Sequence, residues 1–230
     1  MRFFTLARKE LRECLPWMIL AVLSLLVLGG FPLWERVIAE NEYRYPFPSP
    51  GSTVQPWQLI RYSVLAGTGS VLLMTSIALG LALAVRQFWM PFFTRTWPFL
   101  VHRSARRSTA LWAKLAAGTA ALLFSLGAVW LALYLYACRP GLFVPPPRIR
   151  VFWEGWFYIA SGLVVYLGAA LVGLSTVRWY TTRIFGLAFA ALIVITTLVQ
   201  CRLSLAFASV AVGVVVLLSQ ITDTFVNREF

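Results

Sequence analysis

The side chains best suited to chemistry are the cations and aromatic rings of one segment, residues 91–114, PFFTRTWPFLVHRSARRSTALWAK. The segment carries five basic residues and no acid, and it contains the chain's single histidine. Such a mixture suits binding rather than bond-making, either as an amphipathic element at a membrane interface or as a surface docked against a partner. The candidate binding residues are Trp97, Phe99, His102, Arg103, Arg106 and Arg107.

Catalytic and metal-binding patterns are missing from the sequence. No GxxxxGK[ST] stretch is present to cradle a nucleotide phosphate, and one histidine with three scattered cysteines gives no metal-ligand cluster. The acid nearest a hydrophobic run is Glu154, which is expected to pair with Arg150 at the interface rather than to contact a substrate. His102 is interpreted as an interfacial side chain, with pairing to an acidic partner as the alternative.

The composition is that of an integral membrane protein. Hydrophobic residues make up 60% of the 230 residues, charged residues only 12%, and the mean hydropathy is +0.79. The net charge of +12 does not indicate nucleic-acid binding, because most of the basic residues flank apolar runs as topology determinants do.

Six apolar runs predict an all-α protein with six transmembrane helices in one domain, residues 1–230. Small residues in the second run, among them Ser76 and Gly80, predict close helix contact. Proline-rich and aromatic stretches at 34–57 and 139–150 are typical of loops on the outer side. The predicted spans are 15–33, 62–85, 115–138, 153–177, 184–200 and 203–221.

The distribution of basic residues predicts the orientation of these spans. With both termini inside, thirteen Lys and Arg residues fall on the cytoplasmic side and seven on the outer side. Because Lys and Arg translocate poorly, this split predicts a multi-pass protein of the inner (cytoplasmic) membrane with cytoplasmic N- and C-termini. Residues 91–108 then form a cytoplasmic loop.

The first fourteen residues, MRFFTLARKELREC, predict a short amphipathic helix in the headgroup layer, with Pro16 opening the first span. A solvated basic tail is the alternative interpretation. The interfacial residues are Phe3, Phe4, Ala7, Arg8, Lys9 and Leu11.

Two cysteines fall at the outer ends of predicted spans. Cys138 closes the third span and Cys201 the fifth, so a disulfide between them is possible if those span ends meet. Two unpaired thiols at the membrane edge are the alternative.

Three stretches carry a resemblance to a known family: LARKELREC before the first span, TWPFLVHRSARRSTALWAKLAAG before the third span, and FVNREF after the last span. They resemble the N-terminus, the loop before the third span and the short tail of ABC-2-type permeases, the membrane subunits of certain ABC transporters. The resemblance covers the six-span layout of the whole chain.

The resemblance implies a permease that works with a separate ATP-binding subunit and with a second copy of itself or a homologous permease. ATP and Mg would bind the partner ATPase and not this chain, and the substrate would be a hydrophobic or amphipathic molecule such as a lipid, peptide or antibiotic. The N-terminal helix and the 91–108 loop would contact the ATPase, whereas the loop could also serve only as a topology signal and headgroup anchor. A secondary transporter and a non-transporting accessory or assembly protein remain open from the residues alone.

Overall fold

The apolar runs fold as helices in the computed structural model, which describes residues 2–42, 66–94, 107–139, 149–175, 184–199 and 203–226. The described residues contain helices and no strand, so the prediction of an all-α protein is confirmed. In chain order the elements are α1 (Arg2–Glu42), α2 (Ala66–Ala84), a π-helical turn (Val85–Trp89), α3 (Met90–Phe93), α4 (Arg107–Ala137), α5 (Ile149–Leu174), α6 (Phe185–Val199) and α7 (Leu203–Val226).

The helix lengths are those of a multi-pass membrane protein. Five described helices are long and apolar enough to cross a membrane: Phe3–Phe31, Thr68–Trp89, Ser108–Ala137, Ile149–Leu174 and Leu203–Phe225. The predicted fifth span corresponds to α6, an apolar helix of 15 residues. At 1.5 Å per residue α6 is about 22 Å long, which is shorter than a hydrocarbon core of about 30 Å.

The first helix runs without a break through Pro16, so the predicted separation of a 1–14 helix from the first span is wrong. α1 is 41 residues long and includes residues 34–42, which the sequence predicts to belong to an outer loop. An interior proline removes one backbone hydrogen bond. Here Cys14 and Ala21, on either side of Pro16, are both buried, so α1 packs against the bundle before and after the proline and stays helical through it.

The centre of the bundle is α5. It packs against α2, α4, α6 and α7, and 78% of its most apolar stretch is buried. Gly80 of α2 faces Gly162 of α5 so closely that a methyl group on Gly80 would lie 2.5 Å from the Gly162 carbonyl oxygen. The Ser76 hydroxyl donates a hydrogen bond to the Tyr158 carbonyl oxygen at 2.9 Å. Close contact through the small residues of α2 is therefore confirmed.

Leaving out the four-residue α3, consecutive helices alternate in direction, so α5 and α7, with α6 between them, run the same way. Trp130, late in α4, contacts Phe152 at the start of α5, whereas Trp89 contacts Ala169 near the end of α5. Phe207, near the start of α7, lies against aromatic rings at the start of α5. The start of α6 contacts the later part of α5 through Gly186 and Gly168, and the start of α1 contacts that of α4. The starts of α1, α4 and α6 therefore share one end of the bundle, called here the N-terminal end, with the last residues of α5 and α7.

Candidate functional site

The π-helical turn lies at the N-terminal end and directs two side chains into the core. A π turn is wider than an α turn and changes the direction of the residues that follow it, and such turns are frequent at functional sites. Gln87 and Phe88 of the turn are 2% and 0% exposed. Trp89 donates its Nε1 hydrogen to the Ala169 carbonyl oxygen at 3.0 Å, which fastens the turn to α5.

A chain of buried hydrogen bonds starts from the amide of Gln87. The Tyr166 hydroxyl of α5 donates to Gln87 Oε1 at 2.6 Å and lies 3.3 Å from the carbonyl oxygen of Lys114 in α4. The Gln87 Nε2 group donates to Cys14 Sγ of α1 at 3.3 Å. Four helical elements meet at these three side chains, and Tyr166 and Cys14 are both fully buried.

Gly118 leaves the space that the Tyr166 hydroxyl occupies. A methyl group on Gly118 would overlap the Tyr166 phenol oxygen and would lie 2.8 Å from Gln87 Oε1. The α4 backbone can therefore approach the buried hydrogen bond only because residue 118 has no side chain.

The strongest interaction at this end joins α1 to α4. Lys114 Nζ lies 2.7 Å from Glu10 Oε1, and the two side chains are only 8% and 14% exposed. Charges held in a low dielectric interact strongly when paired, but removing one partner leaves the other charge poorly solvated. The pair therefore fixes how α1 sits on α4. We call Glu10, Cys14, Gln87, Lys114 and Tyr166 the N-terminal clasp.

Weaker ion pairs surround the clasp. Glu13 lies 3.4 Å from Arg86 of the π-helical turn and 3.8 Å from Lys9, with all three side chains at least 39% exposed. Exposed pairs of this kind contribute little stability. Their importance is positional, because Glu13 reaches the π-helical turn before residues 95–106 and Glu10 reaches α4 after them.

The opposite end of the bundle is built from aromatic rings. Trp130 donates its Nε1 hydrogen to the Phe152 carbonyl oxygen at 3.1 Å, and its indole lies against Gly155, where a methyl group would overlap the ring. Tyr134 and Phe152 have ring centroids 5.0 Å apart. We call this region, with the neighbouring rings of Trp153, Trp156, Phe157 and Phe207, the aromatic end.

Most residues predicted to bind a partner lie outside the described part of the chain. Trp97, Phe99, His102, Arg103 and Arg106 are in this group, and Arg107 is described only as the first residue of α4. Their proposed role stays a prediction.

The predicted interfacial residues of α1 fall on two faces. Phe3 and Ala7 are half-buried, whereas Phe4, Arg8, Lys9 and Leu11 are exposed. The face that docks on the bundle continues from Phe3 and Ala7 through Glu10 and Cys14 rather than through Leu11.

Sequence reasoning missed the clasp. Lys114 was interpreted as a topology charge, but it is buried inside the apolar helix Ser108–Ala137 and paired with Glu10. A signal for the docking face was present, since Glu10, Cys14, Ala21 and Leu25 recur at helical spacings of four, seven and four residues. The amino-acid sequence of the turn, VRQFW at Val85–Trp89, contains no pattern that indicates a π helix.

Two predictions about individual groups have different outcomes. The expected ion pair is confirmed, because Arg150 Nε lies 3.0 Å from Glu154 Oε1. Cys138 has a free thiol in the structure, and Cys201 lies outside the described residues, so their pairing stays a prediction. Within the described ranges no group of three or more His, Cys, Asp or Glu side chains is placed to hold a metal ion.

Comparison with protein-family models, with curated proteins and with solved structures gives no match for this chain.

Proposed function

We propose that the chain is the membrane-spanning permease subunit of an ATP-driven exporter of hydrophobic or amphipathic molecules. The observation that carries the proposal is the buried pair of Glu10 with Lys114, because it ties the N-terminal helix to the helix that follows the basic, aromatic segment. The N-terminal helix and the 91–108 loop, which directly precedes α4, are the parts of the chain that the family resemblance expects to contact an ATPase.

The clasp supports a mechanical role for the inner part of α1. Glu10 holds Lys114 after the 95–106 segment, and Glu13 reaches Arg86 before it. A partner that moved the segment would therefore move α1, the π-helical turn and α4 together. Packed interfaces respond to a small displacement as rigid bodies, so the movement would reach the opposite end of the bundle.

The proposal needs partners that supply what this chain lacks. Its sequence has no phosphate-binding loop, so a separate subunit would bind ATP and Mg. A second copy or a homologous permease would complete the substrate path. The lipid membrane is the surrounding medium, and nucleic acid is not a proposed partner.

The proposed location is the inner membrane with both termini in the cytoplasm. Single cysteines introduced at positions 50, 104, 146 and 181 of a variant lacking the native thiols test this orientation. Membrane-impermeant labelling of sealed cells is expected only at 50 and 146, and labelling at 104 would reverse the orientation.

The ATPase contact is tested by removing the tryptophan of the central segment. Trp97→Ala is expected to leave insertion unchanged and to lower both ATPase co-purification and substrate-stimulated ATP hydrolysis, since a buried aromatic anchor contributes about 2 kcal/mol or more to an interface. The matched control is Trp112→Ala, which removes a 45% exposed tryptophan from α4 itself. Equal co-purification of both variants with the wild-type amount of ATPase would assign the segment to membrane anchoring instead.

A secondary transporter is the second candidate function, and the buried Glu10–Lys114 pair is the observation that favours it. Ionisable groups inside a membrane helix often mark ion or proton pathways. Transport into sealed vesicles separates the two candidates: an exporter requires ATP and the partner subunit, whereas a secondary transporter responds to an imposed proton or sodium gradient without ATP. A chain that transports under neither condition would be an accessory or assembly protein.

A further inference from the structure

We propose that the exposed basic face of α1 binds the headgroup phosphate of an anionic phospholipid, whose acyl chain lies along the apolar residues that follow on the same helix. This inference goes beyond the proposed function and does not depend on it, since it concerns the side of α1 that faces away from the clasp.

The headgroup site is formed by four polar residues on one side of the helix. Thr5, Arg8, Lys9 and Arg12 are spaced at i, i+3, i+4 and i+7, so they share a face. Together with Glu13 they line a shallow cleft on the surface of the bundle. A phosphate in this cleft would meet two guanidinium groups and one ammonium group, which are the groups that bind phosphate most strongly.

Within the described residues the positive charge of this face is neutralised only in part, because Glu13 pairs with Lys9 but not with Arg8 or Arg12. Arg8 and Arg12 are exposed and form no ion pair there. The acids on the inner part of α1 are Glu10 and Glu13, and both are already engaged, with Lys114 and with Arg86 and Lys9. An external anion would therefore complete the site.

The isolated helix places two of these cations unfavourably. Arg8 and Arg12 are like charges at i, i+4, which repel each other along a helix. One bound phosphate would relieve this repulsion.

The residues that follow favour a phospholipid over a soluble anion. Leu15, Ile19 and Leu23 are 49%, 50% and 56% exposed, and they extend the line of Arg8 and Arg12 at spacings of three and four residues. Charged groups followed by an exposed apolar stripe match a headgroup followed by an acyl chain.

The test is native mass spectrometry of the purified full-length protein in detergent, titrated with phosphatidylglycerol or phosphatidylcholine. The wild-type protein is expected to prefer phosphatidylglycerol. The double variant Arg8→Gln/Arg12→Gln is expected to lose about thirtyfold in that affinity, as two basic contacts to an anionic headgroup imply. Both side chains are exposed, so the thermal unfolding midpoint should stay at the wild-type value.

The matched control removes the same charge from the aromatic end. Arg139→Gln/Arg150→Gln changes two exposed arginines there and should bind phosphatidylglycerol like the wild type. Equal binding of the two lipids, or an equal loss in both double variants, would overturn the proposal.

Two further readouts identify the ligand. Short-chain phosphatidylglycerol should bind more weakly than the long-chain form, and equal binding would show that the apolar stripe takes no part. Displacement of the lipid by millimolar inorganic phosphate would assign the cleft to a free anion, and saturation of the cleft by an acidic peptide with no lipid preference would assign it to a protein partner. Either result would overturn the lipid assignment.

Discussion

The two ends of the helix bundle are held together by different interactions. At the N-terminal clasp, α1, the π-helical turn, α4 and α5 meet through hydrogen bonds of 2.6 and 3.3 Å and an ion pair of 2.7 Å. At the aromatic end, α4, α5 and α7 meet mainly through ring contacts with centroids 5.0–6.5 Å apart. Buried polar contacts tolerate little displacement, because an unpaired polar group in a low dielectric is costly. Aromatic pairs accept several relative orientations.

This difference predicts how the bundle would respond to a force applied at the N-terminal end. Displacement would break the buried polar contacts of the clasp, whereas the rings at the aromatic end can reorient while they stay packed. The aromatic end would then act as a pivot for movements that begin at the clasp.

The largest expected effect is the loss of a charge from the clasp. Lys114→Met leaves the Glu10 carboxylate mostly buried and without its partner, which is expected to lower the free energy of unfolding by about 3 kcal/mol. The control is Arg150→Met, which breaks the exposed pair with Glu154 and should cost less than about 0.5 kcal/mol. Thermal unfolding in detergent measures both, and equal losses would remove the distinction between the two ends.

The next largest effect is overpacking, and here the two ends should behave alike. Gly118→Ala would collide with the Tyr166 phenol and Gly155→Ala with the Trp130 indole, and both rings are fully buried. We expect each variant to lose about 2 kcal/mol of unfolding free energy. The control Gly30→Ala has no atom within 4 Å of the added methyl and should gain stability through helix propensity. A neutral result at Gly118 would mean that the site is less tightly packed than the structure indicates.

Removing one hydroxyl group at each end compares how much a single tyrosine hydroxyl contributes to stability there. Tyr166→Phe takes the donor from Gln87 Oε1 without changing the ring, and an unpaired buried amide oxygen is expected to cost about 1–2 kcal/mol. At the aromatic end, Tyr136→Phe keeps the ring over which Arg139 lies at 5.4 Å and should be nearly neutral. Chemical or thermal unfolding of the two variants is the measurement, and a neutral Tyr166→Phe would contradict a specific role for the clasp hydrogen bonds.

The smallest effects are expected at the exposed ion pairs. Glu13→Gln and Glu154→Gln each break a pair whose acidic side chain is more than a third exposed, so each should cost less than about 0.5 kcal/mol. High salt should abolish both differences, because screening weakens exposed pairs. A large, salt-independent loss of stability in Glu13→Gln would mean that Glu13 belongs to the N-terminal clasp.

The sequence predicted those parts of the fold that depend on local patterns. The positions of the long helices follow from apolar run length, the close helix contact at Gly80 from small residues in a span, and the Arg150–Glu154 pair from i, i+4 spacing. Each of these patterns is contained in one segment and needs no knowledge of how the helices pack.

The clasp could not be predicted in the same way, because it joins distant segments. Glu10 and Lys114 are 104 residues apart. The sequence pattern of a lysine at the start of an apolar run is the same whether the lysine contacts lipid headgroups or a buried carboxylate. Gln87 points into the core only because of the π turn. The continuity of α1 through Pro16 likewise depends on packing against α2 and α4, which outweighs the local tendency of proline to end a helix.

The most direct test of the N-terminal clasp is a charge exchange between its two ionised residues. Glu10→Lys and Lys114→Glu are each expected to place two like charges within a buried contact and to lower the unfolding midpoint strongly. The double variant Glu10→Lys/Lys114→Glu restores an opposite pair, and we expect it to recover at least half of the summed loss. Additive losses in the double variant, or single variants as stable as the wild type, would contradict the proposed coupling of α1 to α4.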